Sequence, residues 1–136
     1  MTNAKKDLET RQDISFLVRT FYAKVRQDEM LGGIFNTIIQ DWESHLEKLT
    51  DFWEGNLRLF TKTRFEGDPK TAHNQVDEAM NGTITMEHFG RWLNLWIETI
   101  DEHFEGETAQ LAKNQARKMA TFLYLKIFEN RMQAQS

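Results

Sequence analysis

The chain has 136 residues, a length that suits one domain, with 40% hydrophobic residues, 12% aromatic residues and a net charge of −4. It has no cysteine, which excludes disulfides, thiolate metal sites, iron–sulfur clusters and cysteine catalysis. The mixed charge gives no nucleic-acid footprint, no apolar run approaches the roughly 18 residues of a membrane span, and Met1 to Asp7 lack the apolar stretch of a signal peptide.

The expectation is therefore one soluble, cytoplasmic domain over residues 1–136, with flexible ends at 1–10 and 132–136 and neither nucleic acid nor membrane as partner. Ile14, Leu17, Val18, Phe21, Tyr22 and Val25 recur at helical spacing, with Asp13 placed to cap the start. Gly32-Gly33 closes that region, and a short segment follows through Ile34, Phe35, Ile38 and Ile39. A second long stripe runs His45, Leu46, Leu49, Phe52, Trp53, Leu57 and Phe60, with Asp41 as its cap.

Gly67-Asp68-Pro69 reads as a turn into a short helix carrying Ala72, His73 and Val76. A third long helix starts near Thr83 or Thr85, with the stripe Met86, Phe89, Trp92, Leu93, Trp96, Ile97, Ile100 and Phe104. Gly106 stops it. The last helix starts near Thr108, and Ala109, Ala112, Ala116 and Ala120 let a neighbour approach closely. With no convincing period-2 strand, the fold class is all-α, packed most simply as two pairs of antiparallel helices.

The four histidines are His45, His73, His88 and His103, and their spacing supports neither a zinc nor a di-iron site. There is no Gly-rich phosphate loop and no nucleophile elbow. His73 follows the Gly67-Asp68-Pro69 turn on a short helix. It reads either as a surface histidine or as the single imidazole a haem iron needs. Tyr22, Trp92 and His45 each place a polar tip on an apolar helix face. Singly they read as core or boundary residues, and together as donors converging on one polar ligand. Lys62, Arg64 and Lys70 are candidates to pair with haem propionates or are solvated charges. His88 and His103 read as surface positions without a role.

An ordered set of segments resembles one family. Phe21-Tyr22-Ala23-Lys24-Val25-Arg26 and Leu31-Gly32-Gly33-Ile34-Phe35 come first, then Asp41-Trp42-x-x-His45 and Asp51-Phe52-Trp53. Gly67-Asp68-Pro69-x-x-x-His73 and His88-Phe89-x-x-Trp92-Leu93-x-Leu95-Trp96 complete it. Together, over roughly residues 12–130, they resemble the third subgroup of truncated haemoglobins. The glycine pairs that flank the distal helix in other subgroups are not evident.

The resemblance implies a two-over-two helical sandwich around haem b, iron protoporphyrin IX. By that likeness His73 is the proximal metal ligand, Tyr22 and Trp92 are the distal donors, and His45 gates the distal pocket. Leu49 and Trp53 match the distal wall, and Phe21, Phe52, Phe65, Phe89 and Trp96 supply further haem packing. The implied function is binding of O2, and of CO, NO or peroxide, for high-affinity binding, sensing or redox chemistry. Two alternatives stand beside it. One is a nitric oxide dioxygenase or peroxidase-like enzyme served by a separate reductase. The other is a haem-free helical interaction module.

Overall fold

The computed structural model describes residues 5–57 and 85–134. Among these it holds five helices: α1 (Arg11–Gln27), α2 (Gly32–Ile38), α3 (Trp42–Asn56), α4 (Met86–His103) and α5 (Glu107–Ala134). The Gly67-Asp68-Pro69 turn and the short helix expected after it lie outside the described residues.

The helix starts show why the elements begin where they do. A helix leaves its first backbone N–H groups without partners, and side-chain oxygens supply them. Thr10, not Asp13, caps α1. Its hydroxyl accepts from the Asp13 N–H, while the Asp13 carboxylate accepts from the N–H of Thr10 and Glu9. These contacts and the nearby Lys6 outweigh the cost of partial burial and hold the Asp13 carboxyl below its ordinary pKa. Asp41 caps α3 as expected, accepting from the Ser44 N–H at 3.1 Å. Thr85 caps α4, and the His88 ring completes the box by accepting the Thr85 N–H at Nδ1, 2.9 Å away.

The start of α5 is capped from the other end of the chain. The Asp7 carboxylate accepts from the N–H groups of Thr108 and Ala109 at 3.0 and 2.7 Å. Lys6 and Phe104 form an isolated parallel bridge beside it. Gly106 makes the approach possible. Its φ is +131°, and a Cβ there would lie 2.5 Å from Asp7 Cγ. Gly106→Ala combines an unfavourable backbone with loss of the Asp7 cap. It is expected to cost about 1–3 kcal/mol, read as a lowered midpoint in thermal unfolding. An unchanged midpoint would show that Asp7 swings aside without loss.

Gly32 also works by close approach, at the start of α2 rather than as a terminator of α1. A Cβ on it would meet the Arg26 carbonyl oxygen at 2.6 Å. This lets α2 turn back tightly against the end of α1.

Helix α1 packs against α2, α3 and α4, and α4 packs against α5. Two helix pairs, α1–α3 and α4–α5, are thus joined through the α1–α4 contact. All six residues of the α1 stripe are buried. They meet Trp53 and Leu57 at the end of α3 and Leu95, Trp96 and Ile100 of α4. The Trp96 ring lies against the α5 alanine row, with Ala112 and Ala116 fully buried. Its indole N–H donates to the Ala112 carbonyl at 3.2 Å, so the largest core side chain carries no unmet donor. The buried hydroxyls of Thr50 and Thr99 are satisfied by donation to the carbonyls of Leu46 and Leu95.

Charged side chains bind the same helices from outside. Arg11 bridges Glu47, Asp51 and Glu54 on α3, and Arg19 bridges Glu43 and Glu47. Glu54 is only 4% exposed, so Arg11 is what makes its burial tolerable. Lys24 ties α1 to Glu98 and Glu102 of α4.

Candidate functional site

The site is assembled where the last turns of α1, the first turns of α3 and the middle of α4 converge. Tyr22 lies on the buried face of α1 and is 6% exposed. Its ring touches Phe21 edge-on at 4.6 Å between centroids, Phe35 of α2 at 6.1 Å, Trp42 at 5.9 Å and His45 at 5.8 Å. A phenol enclosed this way ionises reluctantly, because burial disfavours the phenolate. Its pKa is pushed up to about 12, with Trp92 offsetting part of the rise. Tyr22 therefore keeps its proton across the ordinary pH range and can act as a donor throughout it.

Trp92 comes to the same place from α4. Its ring is edge-on to Phe21 at 5.5 Å and lies parallel to Trp96, at 6.2 Å and an interplanar angle of 4°. Trp96 in turn stacks on Trp53 at 4.6 Å. These rings fix the indole plane, and the Trp92 N–H is buried without a hydrogen-bond partner among the described residues. It lies near enough to the Tyr22 phenol to favour the phenolate slightly, yet forms no hydrogen bond of acceptable geometry with it. A buried donor without an acceptor costs about 1–3 kcal/mol. A polar ligand placed against it would recover that cost.

Among the sequence candidates, the structure brings Phe21, Tyr22, His45, Trp53, Trp92 and Trp96 into one aromatic cluster. Leu49 and Phe52 are half-buried at the edge of the same core, with Phe52 edge-on to Trp53 at 5.5 Å. Phe89 is set apart. It packs with Ala120 and Leu123, lies edge-on to Tyr124 at 5.8 Å, and meets Trp92. Phe65, His73 and the basic residues Lys62, Arg64 and Lys70 lie outside the described residues.

Two residues gain a place that their sequence context did not assign. Trp42 stands one helical turn before His45 and packs edge-on against it at 5.7 Å. Arg26 stands one turn after Tyr22 and lays its guanidinium over the Trp42 ring, 4.6 Å from the centroid. Helical spacing from Tyr22 and from His45 points to both positions, although it cannot show that they meet. Among the described residues, no three His, Cys, Asp or Glu side chains gather as a metal site. Nor is any helix there long and apolar enough to cross a membrane.

No protein-family model matches the chain. Among curated proteins it is similar to the group 3 truncated haemoglobin Ctb of Campylobacter jejuni. The two are 29% identical over 115 residues, which is 82% of this chain and 85% of that protein. Among solved structures it is similar to the crystal structure of the group III truncated haemoglobin from Campylobacter jejuni, with a TM-score of 0.77. The sequence identity there is 28%, and the match covers 90% of this chain and 94% of that one. The helical arrangement described above is thus an all-α globin fold of the two-over-two kind.

Proposed function

We propose that this chain, related in sequence and fold to group 3 truncated haemoglobins, is a globin-type haem protein that binds small diatomic ligands. The observation that carries the reading is the Trp92 N–H, buried without a partner among the described residues and beside the buried Tyr22 phenol. Such a pair is costly in a bare helical module and useful beside a polar ligand. The residues present therefore fit the group that the resemblance implies.

Haem, when bound, supplies an iron atom that coordinates O2, CO or NO. On this reading His73 holds the iron, an assignment that rests on its place after Gly67-Asp68-Pro69 and on the family resemblance. Tyr22 donates from its hydroxyl and Trp92 from its indole N–H toward the polar end of the ligand. Both donors are held by rings rather than by solvent, so they need not reorganise when a ligand arrives. Phe21 and Trp96 are fully enclosed by protein and act as a backing layer that sets the Trp92 plane. Leu49, Phe52 and Trp53 bound the site on the α3 side. His45, half-buried on that helix, stands at the opening.

Donors that strengthen with developing negative charge slow ligand release. That suits ligand sensing or redox chemistry on a bound diatomic better than transport, and such chemistry would draw electrons from a separate reductase. The test is the optical spectrum of the purified protein as ferric, dithionite-reduced and CO-bound forms. The expected result is a strong Soret band, shifted by CO, at one haem per chain. A colourless protein that also fails to take up added hemin would leave a helical module of another purpose.

A further inference from the structure

Three aromatic rings meet on the α1–α3 side of the site, where Trp42 and His45 are only half-buried. Tyr22, Trp42 and His45 contact one another pairwise, with centroid separations of 5.9, 5.8 and 5.7 Å. Two of the three contacts are edge-on, at 85° and 87°, and both of these involve the His45 ring. The imidazole thus packs against both the phenol and the indole, which also touch each other.

Trp42 is the first residue of α3, where a helix frays most readily. Something must hold it, and two devices do. Asp41 caps the helix at the preceding position. Arg26 covers the outer face of the indole with its guanidinium. Arg26 is itself tied down. Its Nε donates to Asn36 Oδ1 at 3.3 Å, and Asn36 Nδ2 donates back to the Arg26 carbonyl at 3.0 Å. A chain of contacts therefore runs from Asn36 on α2 through Arg26 and Trp42 to His45.

We propose that Trp42, clamped from outside by Arg26, is the positioning residue that holds His45 at the opening of the ligand site and so sets how often that opening admits a ligand. The inference rests on the haem reading above. Trp42 and Arg26 act through the imidazole and need not touch the ligand. Removing either loosens one of the contacts on the His45 ring, which keeps the one with Tyr22, and lets it sample more orientations. If the open arrangement is at most about a tenth of the population, releasing it speeds ligand association by about tenfold or more.

The experiment uses full-length protein and two readouts. The first is the CO association rate of the haem-loaded protein after flash photolysis. The second is the position of the His45 ring Cε1–H resonance in the haem-free protein, which needs no bound group. Trp42→Leu is expected to speed CO association by about tenfold or more and to move the His45 resonance. Trp42→Phe, which keeps an aromatic face, is expected to restore both to near wild type. Arg26→Gln changes an exposed side chain and leaves the fold intact. It is expected to move the same resonance and to speed association by a smaller factor, because its effect must pass through Trp42.

Unchanged association and an unmoved resonance in both Trp42→Leu and Arg26→Gln would overturn the inference while the Soret band of the wild type still upheld the haem reading. A wild type without haem would sink that reading instead, and the His45 resonance would then still decide whether Trp42 positions the ring. Should Trp42→Leu fail to fold, Arg26→Gln carries the same decision alone.

Discussion

Tyr22→Phe is expected to speed O2 dissociation from the haem-loaded protein by about 10- to 100-fold while leaving the fold unchanged. The substitution removes one oxygen and keeps the ring, so the contacts with Phe21, Phe35, Trp42 and His45 persist. What is lost is a hydrogen bond toward a partly negative acceptor, worth about 1.5–3 kcal/mol, and each 1.4 kcal/mol is a tenfold change in rate. Trp92 remains as a donor, so release should not become as fast as in a wholly apolar pocket. CO carries less charge on its outer atom, and its dissociation should change less than that of O2. Stopped-flow measurement of both rates checks the argument. An O2 dissociation rate within twofold of wild type would show that Tyr22 does not donate to the ligand. Because burial raises the Tyr22 pKa to about 12, its donor form is fully populated below that value. The wild-type rate should therefore show no step attributable to this phenol between about pH 6 and 10.

The parts of this arrangement that could be read from sequence are those set by one helix at a time. The stripe Ile14, Leu17, Val18, Phe21, Tyr22, Val25 repeats every three or four residues, and all six positions are buried. A period of 3.6 leaves no other face for them. Asp41 before the α3 stripe is equally local, and it caps that helix. The α1 cap was one step harder. Thr10-x-x-Asp13 is a capping box, and attention to Asp13 alone mistakes its reciprocal partner for the cap. His88 stands where a Glu or Gln would complete such a box, so its role left no familiar pattern. Asp7 caps α5 from 101 and 102 residues away, and no local rule reaches that far.

The site divides in the same way. Sequence spacing places Tyr22 and Arg26 on one side of α1, and Trp42 and His45 on one side of α3. It does not say that these two sides face each other. That depends on the charged rows that fix α1 against α3, where Arg11 and Arg19 each span more than one carboxylate. Nor does a pattern of apolar positions reveal that Trp96 spends its N–H on Ala112 while Trp92 finds no partner among the described residues. Both tryptophans occupy the same stripe of α4. They differ in depth, Trp96 being fully buried and Trp92 half-buried, and in what another helix offers opposite the indole nitrogen.

His73→Gly is expected to abolish stable haem retention, with affinity falling by at least about 100-fold. Loss of an outer-shell partner to a metal-ligating histidine already costs about 10- to 100-fold, so loss of the ligand itself sets that range as a floor. The described histidines offer little competition for the role. His88 is engaged by the Thr85 N–H at Nδ1. His103 lies edge-on to Phe16 at 5.0 Å, at the last turn of α4 and within 3.9 Å of Glu102. His45 sits with Tyr22, on the donor side of the site. Were His45 to hold the haem, its imidazole would claim the place that the Tyr22 and Trp92 donors serve, so a histidine elsewhere would be needed to hold the group. The comparison of His73→Gly with His45→Gly therefore separates the two assignments. His45→Gly is expected to retain haem and alter only ligand access. Added imidazole should refill the space left in His73→Gly and restore the Soret band, because the chemistry requires the ring and not its tether. Retention of a wild-type spectrum by His73→Gly, with loss in His45→Gly, would place the iron on α3 and make Tyr22 and Trp92 neighbours of the proximal ligand instead of donors to the bound gas.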